Sequence, residues 1–80
     1  MIAQFNLAVM LENGQGGAKD IKQAILWYKK AASQGDGPAM FNLGNLYWNS
    51  VGDRAIARRW WKKAVRAGIH DAQTNLDLTE

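Results

Sequence analysis

The sequence of this chain repeats itself, and a repeat constrains the fold more than any other feature. The stretch Ala3–Leu7 (Ala-Gln-Phe-Asn-Leu) returns as Ala39–Leu43 at a step of 36 residues, and again as Ala72–Leu76 at a step of 33. A second stretch, residues 24–35, returns as residues 57–68 at a step of 33. We therefore predict a single repeat domain whose units cover residues 3–38, 39–71 and, in part, 72–80.

Each unit is predicted to contain two helices. In the second half of unit one, Ala24, Trp27, Tyr28 and Ala31 fall at i, i+3, i+4 and i+7, which forms one apolar helical stripe. The same stripe recurs in unit two around the adjacent pair Trp60-Trp61. The predicted helices span about residues 2–13, 20–34, 38–50, 53–67 and 71–78.

Residues at the ends of these stripes support the helix limits. Asp20 and Asp53 precede the stripes and suit an N-cap, while Gly35 and Gly68 follow them and suit the positive φ of a helix C-terminus. Helices of this length joined by short turns stack as a solenoid. The predicted fold is thus an all-α, α/α superhelix of antiparallel helix pairs.

Small residues mark the places where these helices approach closely. Ala8 and Gly44 are equivalent positions in the first helices of units one and two. We expect any side chain larger than a methyl group there to collide with the partner helix.

Three segments resemble known repeats. Ala39–Tyr47 (Ala-x-Phe-Asn-Leu-Gly-x-Leu-Tyr) resembles the first helix of the tetratricopeptide class. Asn13–Asp20 (Asn-Gly-x-Gly-Gly-x-x-Asp) and Ala24–Gly35 (Ala-x-x-Trp-Tyr-Lys-Lys-Ala-Ala-x-x-Gly) resemble the Sel-one-like repeat, its longer, glycine-looped relative. Two departures occur: Leu11 stands where this family usually has a tyrosine, and unit two lacks the Gly-x-Gly loop. The resemblance implies a right-handed superhelix that acts as an adaptor or scaffold for protein complexes.

The resemblance also implies where a partner binds, because the first helices of tetratricopeptide-like arrays line the concave face. Asn6, Asn42 and Asn75 then form one rung per unit, with a donor and an acceptor for a peptide backbone. Trp48 is the first residue to mutate, since it lies off the internal stripe of its helix. Alternatively, the phenylalanines pack between units, the asparagines bond neighbouring helices and Trp48 covers the shortened loop. The predicted protein-binding residues are Phe5, Asn6, Val9, Asn13, Phe41, Asn42, Asn45, Trp48, Asn49 and Asn75.

The second helices are rich in basic residues. Such a face binds nucleic acid or an acidic partner, or it is simply the solvated outer side of helices whose C-terminal ends favour cations. We favour the solvated face, because the net charge is only +3 and Trp60 and Trp61 belong to the buried stripe. The basic residues are Lys22, Lys29, Lys30, Arg58, Arg59, Lys62, Lys63 and Arg66.

Catalytic and metal-binding patterns are missing from the sequence. There is no cysteine, and His70 is the single histidine, so we expect no enzyme activity, no metal and no cofactor or small-molecule substrate. The Gly14–Gly17 loop is not a P-loop, because no Gly-Lys-Ser/Thr follows it. No apolar run of about 20 residues and no signal peptide is visible, which leaves the compartment open with the cytoplasm slightly favoured.

The leading hypothesis is an interaction module that binds a peptide or protein segment in its concave groove. A structural spacer or a self-associating fragment of a longer array is the alternative, and nucleic-acid binding is less favoured. Arrays usually need about three units for stability. We therefore expect either a piece of a longer array or a chain that dimerises through its ends.

Overall fold

The computed structural model of the protein describes residues 2–14 and 20–79, without the side chains of residues 2–4 and 13. Each helix packs against the next one along the chain. The helices form a slab with extents of 36 × 25 × 15 Å, and the predicted all-α solenoid of helix pairs is confirmed. Within the described ranges the five α-helices are α1 (Ile2–Asn13), α2 (Ile21–Ser33), α3 (Gly37–Leu46), α4 (Arg54–Arg66) and α5 (His70–Leu78).

The helix ends follow the local sequence closely. Asp20 and Asp53 each accept a hydrogen bond from the backbone N–H three residues on, at 3.0 and 3.1 Å, as an N-cap carboxylate does. Asp36, which the sequence analysis did not single out, caps α3 in the same way. Gly35 and Gly68 have φ values of 89° and 93°, so both predicted C-terminal glycines are confirmed.

The third predicted helix is not uniform. The sequence predicted one helix over residues 38–50, but α3 ends at Leu46 and a π-helical segment, Tyr47–Val51, follows it. Gly52 has a φ of 85° and donates its N–H to the Tyr47 carbonyl at 2.8 Å, which closes this wider turn. A helical period of 3.6 residues does not reveal a local change of hydrogen-bond register. The corresponding glycine loop of unit one lies mostly outside the described residues.

The core consists of two clusters, one around the second helix of each full unit. The first lies between α1, α2 and α3, and the second lies between α4 and α5 around Trp61. Met40 packs against both clusters and so connects them. Alanines dominate the buried positions, which lets the helix backbones approach closely. The first cluster contains Ala8, Ala24, Tyr28, Ala31, Ala32, Ala39, Leu43 and Leu46, and the second contains Trp61, Ala64, Ala72 and Leu76.

The contact between Gly44 and Trp61 is tighter than the sequence predicted. A Cβ atom placed at Gly44 would overlap the Trp61 indole, so that even a methyl group does not fit. The close approach expected at this position is present, and its limit is a hydrogen atom and not a methyl group. The equivalent residues of unit one are Ala8 and Tyr28, both fully buried. The unit with the larger ring thus has the smaller residue at the facing position.

Candidate binding groove on the first helices

Two of the predicted groove residues, Phe5 of unit one and Asn42 of unit two, contact Tyr28. This fully buried side chain of α2 donates its hydroxyl to Glu12 Oε1 at 2.7 Å. Asn42 of α3 donates its Nδ2 to the same hydroxyl at 3.3 Å. Phe5 packs edge-on against the ring, with centroids 5.7 Å apart. The hydroxyl of Tyr28 therefore joins the first helices of two successive units.

The environment of Tyr28 keeps its hydroxyl protonated. Burial raises the pKa of Tyr28 far above its usual value, and the hydrogen bond and the negative charge of Glu12 raise it further. The hydrogen bond from Asn42 opposes this shift with a smaller effect. Tyr28 acts here as a donor that orients Glu12, and it does not act as an acid or a nucleophile near neutral pH.

In unit two, Trp61 takes the place of Tyr28. Its Nε1 donates to Asn45 Oδ1 at 3.2 Å, and Asn75 of α5 donates its Nδ2 to the same oxygen at a long 3.4 Å. Trp48, the equivalent of Glu12, lies against the Trp61 ring with centroids 5.4 Å apart. The guanidinium of Arg54 covers Trp48 at 4.5 Å from its centroid. This unit therefore replaces the hydroxyl–carboxylate pair of unit one with an aromatic pair and two amides.

A cavity of about 280 Å³ opens beside these residues, between the π-helical segment and α5. Trp61 is the buried part of its wall, and Leu78, with 79% of its surface exposed, forms the rim. None of its lining residues among the described ones is charged. The lining residues are Asn45, Trp48, Asn49, Trp61, Asn75, Leu78 and Thr79.

Four of the ten predicted binding residues therefore meet at one cavity, namely Asn45, Trp48, Asn49 and Asn75. Asn42 lies at the Tyr28 cluster instead. Asn42 and Asn75 each donate one amide hydrogen to a residue of a neighbouring helix. The alternative interpretation of the sequence, in which these asparagines bond neighbouring helices, describes these two contacts. Each amide still has a second N–H and a carbonyl oxygen for other partners.

The remaining predicted residues are dispersed. Asn6 is exposed on α1, while Phe5 and Val9 are half-buried and pack against the first core cluster. Phe41 packs against the second cluster. The side chain of Asn13 lies outside the described residues.

Tyr28 and Trp61 are the residues that sequence reasoning missed, because it assigned them to the buried stripe and considered their polar atoms no further. A buried tyrosine hydroxyl or tryptophan N–H almost always finds a partner. That rule, applied to the facing helices, points to the asparagines. Leu78 is the unit-three equivalent of Asn45 and Val9, so the repeat pattern already indicated its position on the groove, whereas Thr79 had no such signal.

The basic residues of the second helices are mostly exposed, as expected for a solvated face. Arg58 is the exception among those described, since it is half-buried and donates to the Thr79 carbonyl at 3.0 Å. Among the described residues, no group of histidines and carboxylates has the arrangement of a metal site. No helix in the described part of the chain has the length and apolar character needed to cross a membrane.

These features define a class: an all-α repeat module whose helix pairs stack in sequence order and whose first helices present amides and aromatic rings. Comparison with known proteins gives the family. The model of the Sel1 repeat matches residues 2–36 and 37–69, so the chain belongs to the Sel1 repeat family, and the predicted Sel-one-like resemblance is confirmed. This family is generally a non-enzymatic scaffold fold for protein–protein interaction.

Relatives and solved structures agree with this assignment. A sel1-like repeat-containing protein of Acanthamoeba polyphaga mimivirus is 32% identical over 71 residues, which is 88% of this chain and 13% of the relative. A protective antigen of uropathogenic Escherichia coli strains that displays an SLR fold matches with a TM-score of 0.87 and 38% identity, over 94% of this chain and 17% of that one. A Sel1 repeat protein from Oxalobacter formigenes gives a TM-score of 0.83 and 35% identity, over 96% and 33%. The chain thus spans only a small part of each of these longer proteins.

Proposed function

We propose that this chain is a protein–protein interaction module that holds a peptide or protein segment in the groove along its first helices, at the cavity beside Trp61. The observation that carries the proposal is the composition of this cavity. Three asparagine amides and two apolar side chains, Trp48 and Leu78, surround a space of about 280 Å³.

The chemistry of the cavity suits a segment bound through its backbone. Amides supply both donors and acceptors, so they bond an extended chain without selecting its side chains. Trp48 and the exposed Leu78 supply an apolar wall for one side chain of the segment. Because no charged residue lines the cavity among those described, we expect a segment with an uncharged, apolar anchor.

Selection of peptides from a random displayed library against the folded chain tests this proposal. The selected peptides are then measured on a variant with Asn49→Arg and Leu78→Glu, which fills the cavity rim and leaves the net charge unchanged. Both residues are exposed, so the core stays intact. We expect the variant to weaken binding by about tenfold or more, as loss of a central contact does.

The matched control carries Ser50→Arg and Leu26→Glu, two exposed positions that do not line the cavity. This control should bind the selected peptides as the unchanged chain does. Equal binding to all three proteins, or a library that yields no binding peptide, contradicts the proposal.

A second candidate function is a stacking unit within a longer array or a self-associated pair. The supporting observation is an apolar face of α1. Leu7 and Met10 are 36% and 45% exposed, whereas the equivalent Leu43 and Leu46 of α3 are 0% and 3% exposed in the cluster that α2 completes. A further helix pair or a second copy placed on α1 would cover this face in the same way.

Self-association is measured by sedimentation equilibrium and by melting at different protein concentrations. If α1 mediates it, the Tm rises with concentration, and replacing Leu7 and Met10 by lysine abolishes that rise. A concentration-independent Tm and a monomeric mass contradict self-association of this chain.

A further inference from the structure

A second, larger cleft lies on the other helices of the pairs. It has a volume of about 420 Å³ and lies between α2, the start of the π-helical segment and α4. Trp60 lines this cleft, whereas the adjacent Trp61 lines the groove described above, so the tryptophan pair serves two surfaces. The lining residues are Lys29, Tyr47, Ile56, Arg59, Trp60, Lys62, Lys63 and Arg66.

The charges of this cleft are all of one sign. Five of the ten lysines and arginines of the chain line it, and its other described lining residues are aromatic or aliphatic. No carboxylate lines the cleft among the described residues: Asp20, Asp36 and Asp53 cap helices, Glu12 accepts from Tyr28, and Asp77 accepts from Gln73. A concave surface lined by one sign of charge concentrates the field and attracts ions of the opposite sign.

The apolar part of the cleft has a defined shape. Lys63 lies over the Trp60 ring at 4.5 Å from its centroid, and Lys29 lies toward the Tyr47 ring at 5.8 Å. Ile56 is the third apolar residue of the lining. The cleft therefore combines three apolar side chains with five cations, two of which lie over the aromatic rings.

We infer that this cleft docks an acidic protein segment, in which aspartates or glutamates flank one apolar side chain. The carboxylates meet the five cations, and the apolar side chain packs with Ile56, Tyr47 and Trp60. This surface is separate from the groove on the first helices, so the module has two binding faces. The charge complementarity sets the choice of partner.

A nucleic acid fits the same cleft less well. Non-specific binding of single strands uses a series of aromatic faces on which successive bases stack, and this cleft has only two rings, Tyr47 and Trp60. Phosphate binding also needs a track of cations along the surface, whereas these five surround one pocket of about 420 Å³. A pocket of this size takes one or two side chains of a protein segment.

Fluorescence anisotropy on the folded chain tests the inference with three labelled probes. The first is a short peptide rich in aspartate and glutamate with one central leucine, the second has asparagine and glutamine in place of every acidic residue, and the third is single-stranded oligouridylate. We expect saturable binding of the acidic peptide only, with an affinity that falls as salt rises.

Two variants with the same net charge locate the site. Arg59→Gln with Lys62→Gln removes two cations of the cleft, and Lys22→Gln with Lys30→Gln removes two cations outside it, all four residues being exposed. The first variant should weaken binding of the acidic peptide by about fivefold or more, and the second by less than about twofold. Circular dichroism checks that both variants keep their helices.

Equal weakening by the two variants would mean attraction to net charge alone, and it overturns the assigned site. Equal binding of the acidic and amide peptides, tighter binding of oligouridylate, or no binding of the acidic peptide also overturns the inference.

Discussion

The two full units share a backbone frame but differ in the ring that each second helix places against the first helices. In unit one, Tyr28 lies in the same buried cluster as Ala8 and donates to Glu12. In unit two, Trp61 faces Gly44, and Trp48 replaces the carboxylate. The difference teaches that a repeat can retain its helix packing and still present different chemistry in its groove. A linked set of residues changes between the units, whereas α2 and α4 keep equivalent limits and equivalent caps at Asp20 and Asp53.

The largest expected effect comes from removing the unit-two ring. Trp61→Ala leaves a large cavity and removes the surface on which Trp48 packs, so we expect a loss of about 3–5 kcal/mol in the free energy of unfolding. Urea denaturation followed by circular dichroism measures it. Trp60→Ala, on the half-buried neighbour, is the control and should cost less. A Trp61→Ala variant within about 1 kcal/mol of the unchanged chain would contradict the central role of this ring.

Two substitutions, Gly44→Ala and Trp61→Tyr, convert the glycine–tryptophan pair of unit two into the alanine–tyrosine pair of unit one. Gly44→Ala forces a methyl group into the indole, and even after the helix propensity gained from alanine we expect a net loss of about 1–2 kcal/mol. Adding Trp61→Tyr should recover part of this loss, because the double variant has the alanine–tyrosine pair of unit one. A double-mutant cycle from urea denaturation gives the coupling energy, and additive effects would refute the pairing.

The hydroxyl of Tyr28 is tested by Tyr28→Phe. Because Glu12 and Asn42 lose a shared partner but are only half-buried, we expect a loss of about 1 kcal/mol in the free energy of unfolding near neutral pH. Urea denaturation measures it. Tyr47→Phe is the matched control, and an equal effect there would count against the special role of the Tyr28 hydroxyl.

The Tyr28→Phe variant also isolates the part of the pH dependence of the free energy of unfolding that comes from the Tyr28 hydroxyl. The pKa of Tyr28 is raised in the folded protein above its ordinary value of 10.0, so above pH 10 the unfolded chain releases a proton that the folded chain retains. The stability contributed by Tyr28 is therefore complete below pH 10 and declines above it, by about 1.4 kcal/mol per pH unit. The difference between the unchanged chain and Tyr28→Phe isolates the contribution of the tyrosine from that of every other group. Parallel stability curves for the two proteins would contradict the shift.

The smallest expected effect on stability concerns the helix N-caps, which the two full units share. Asp20→Ala and Asp53→Ala remove equivalent N-caps, and each should cost about 0.5–1 kcal/mol. Similar costs in both units, measured by thermal unfolding, would show that the frame is common to them. A large difference between the two caps would show that the units differ in more than their rings.

The sequence predicts those structural features that depend only on residues close to one another along the chain. The limits of the helices, the caps at Asp20 and Asp53 and the family assignment all rest on local patterns and on the period. The π-helical turn at Tyr47–Val51 and the overlap between Gly44 and Trp61 depend on the register of one helix against another, which local patterns do not contain. The groove was predicted by analogy, and the structure brings only Asn45, Trp48, Asn49 and Asn75 to one cavity.

The tight fit of Gly44 against Trp61 also restricts the order in which the alanine–tyrosine pair of unit one can change into the glycine–tryptophan pair of unit two during evolution. From alanine with tyrosine, a first change to tryptophan creates a steric clash, whereas a first change to glycine leaves only a small void and some loss of helix propensity. Of the two single-step routes, the one through glycine with tyrosine avoids the clash. We therefore expect a lineage that diversifies this groove to lose the methyl group before it gains the larger ring.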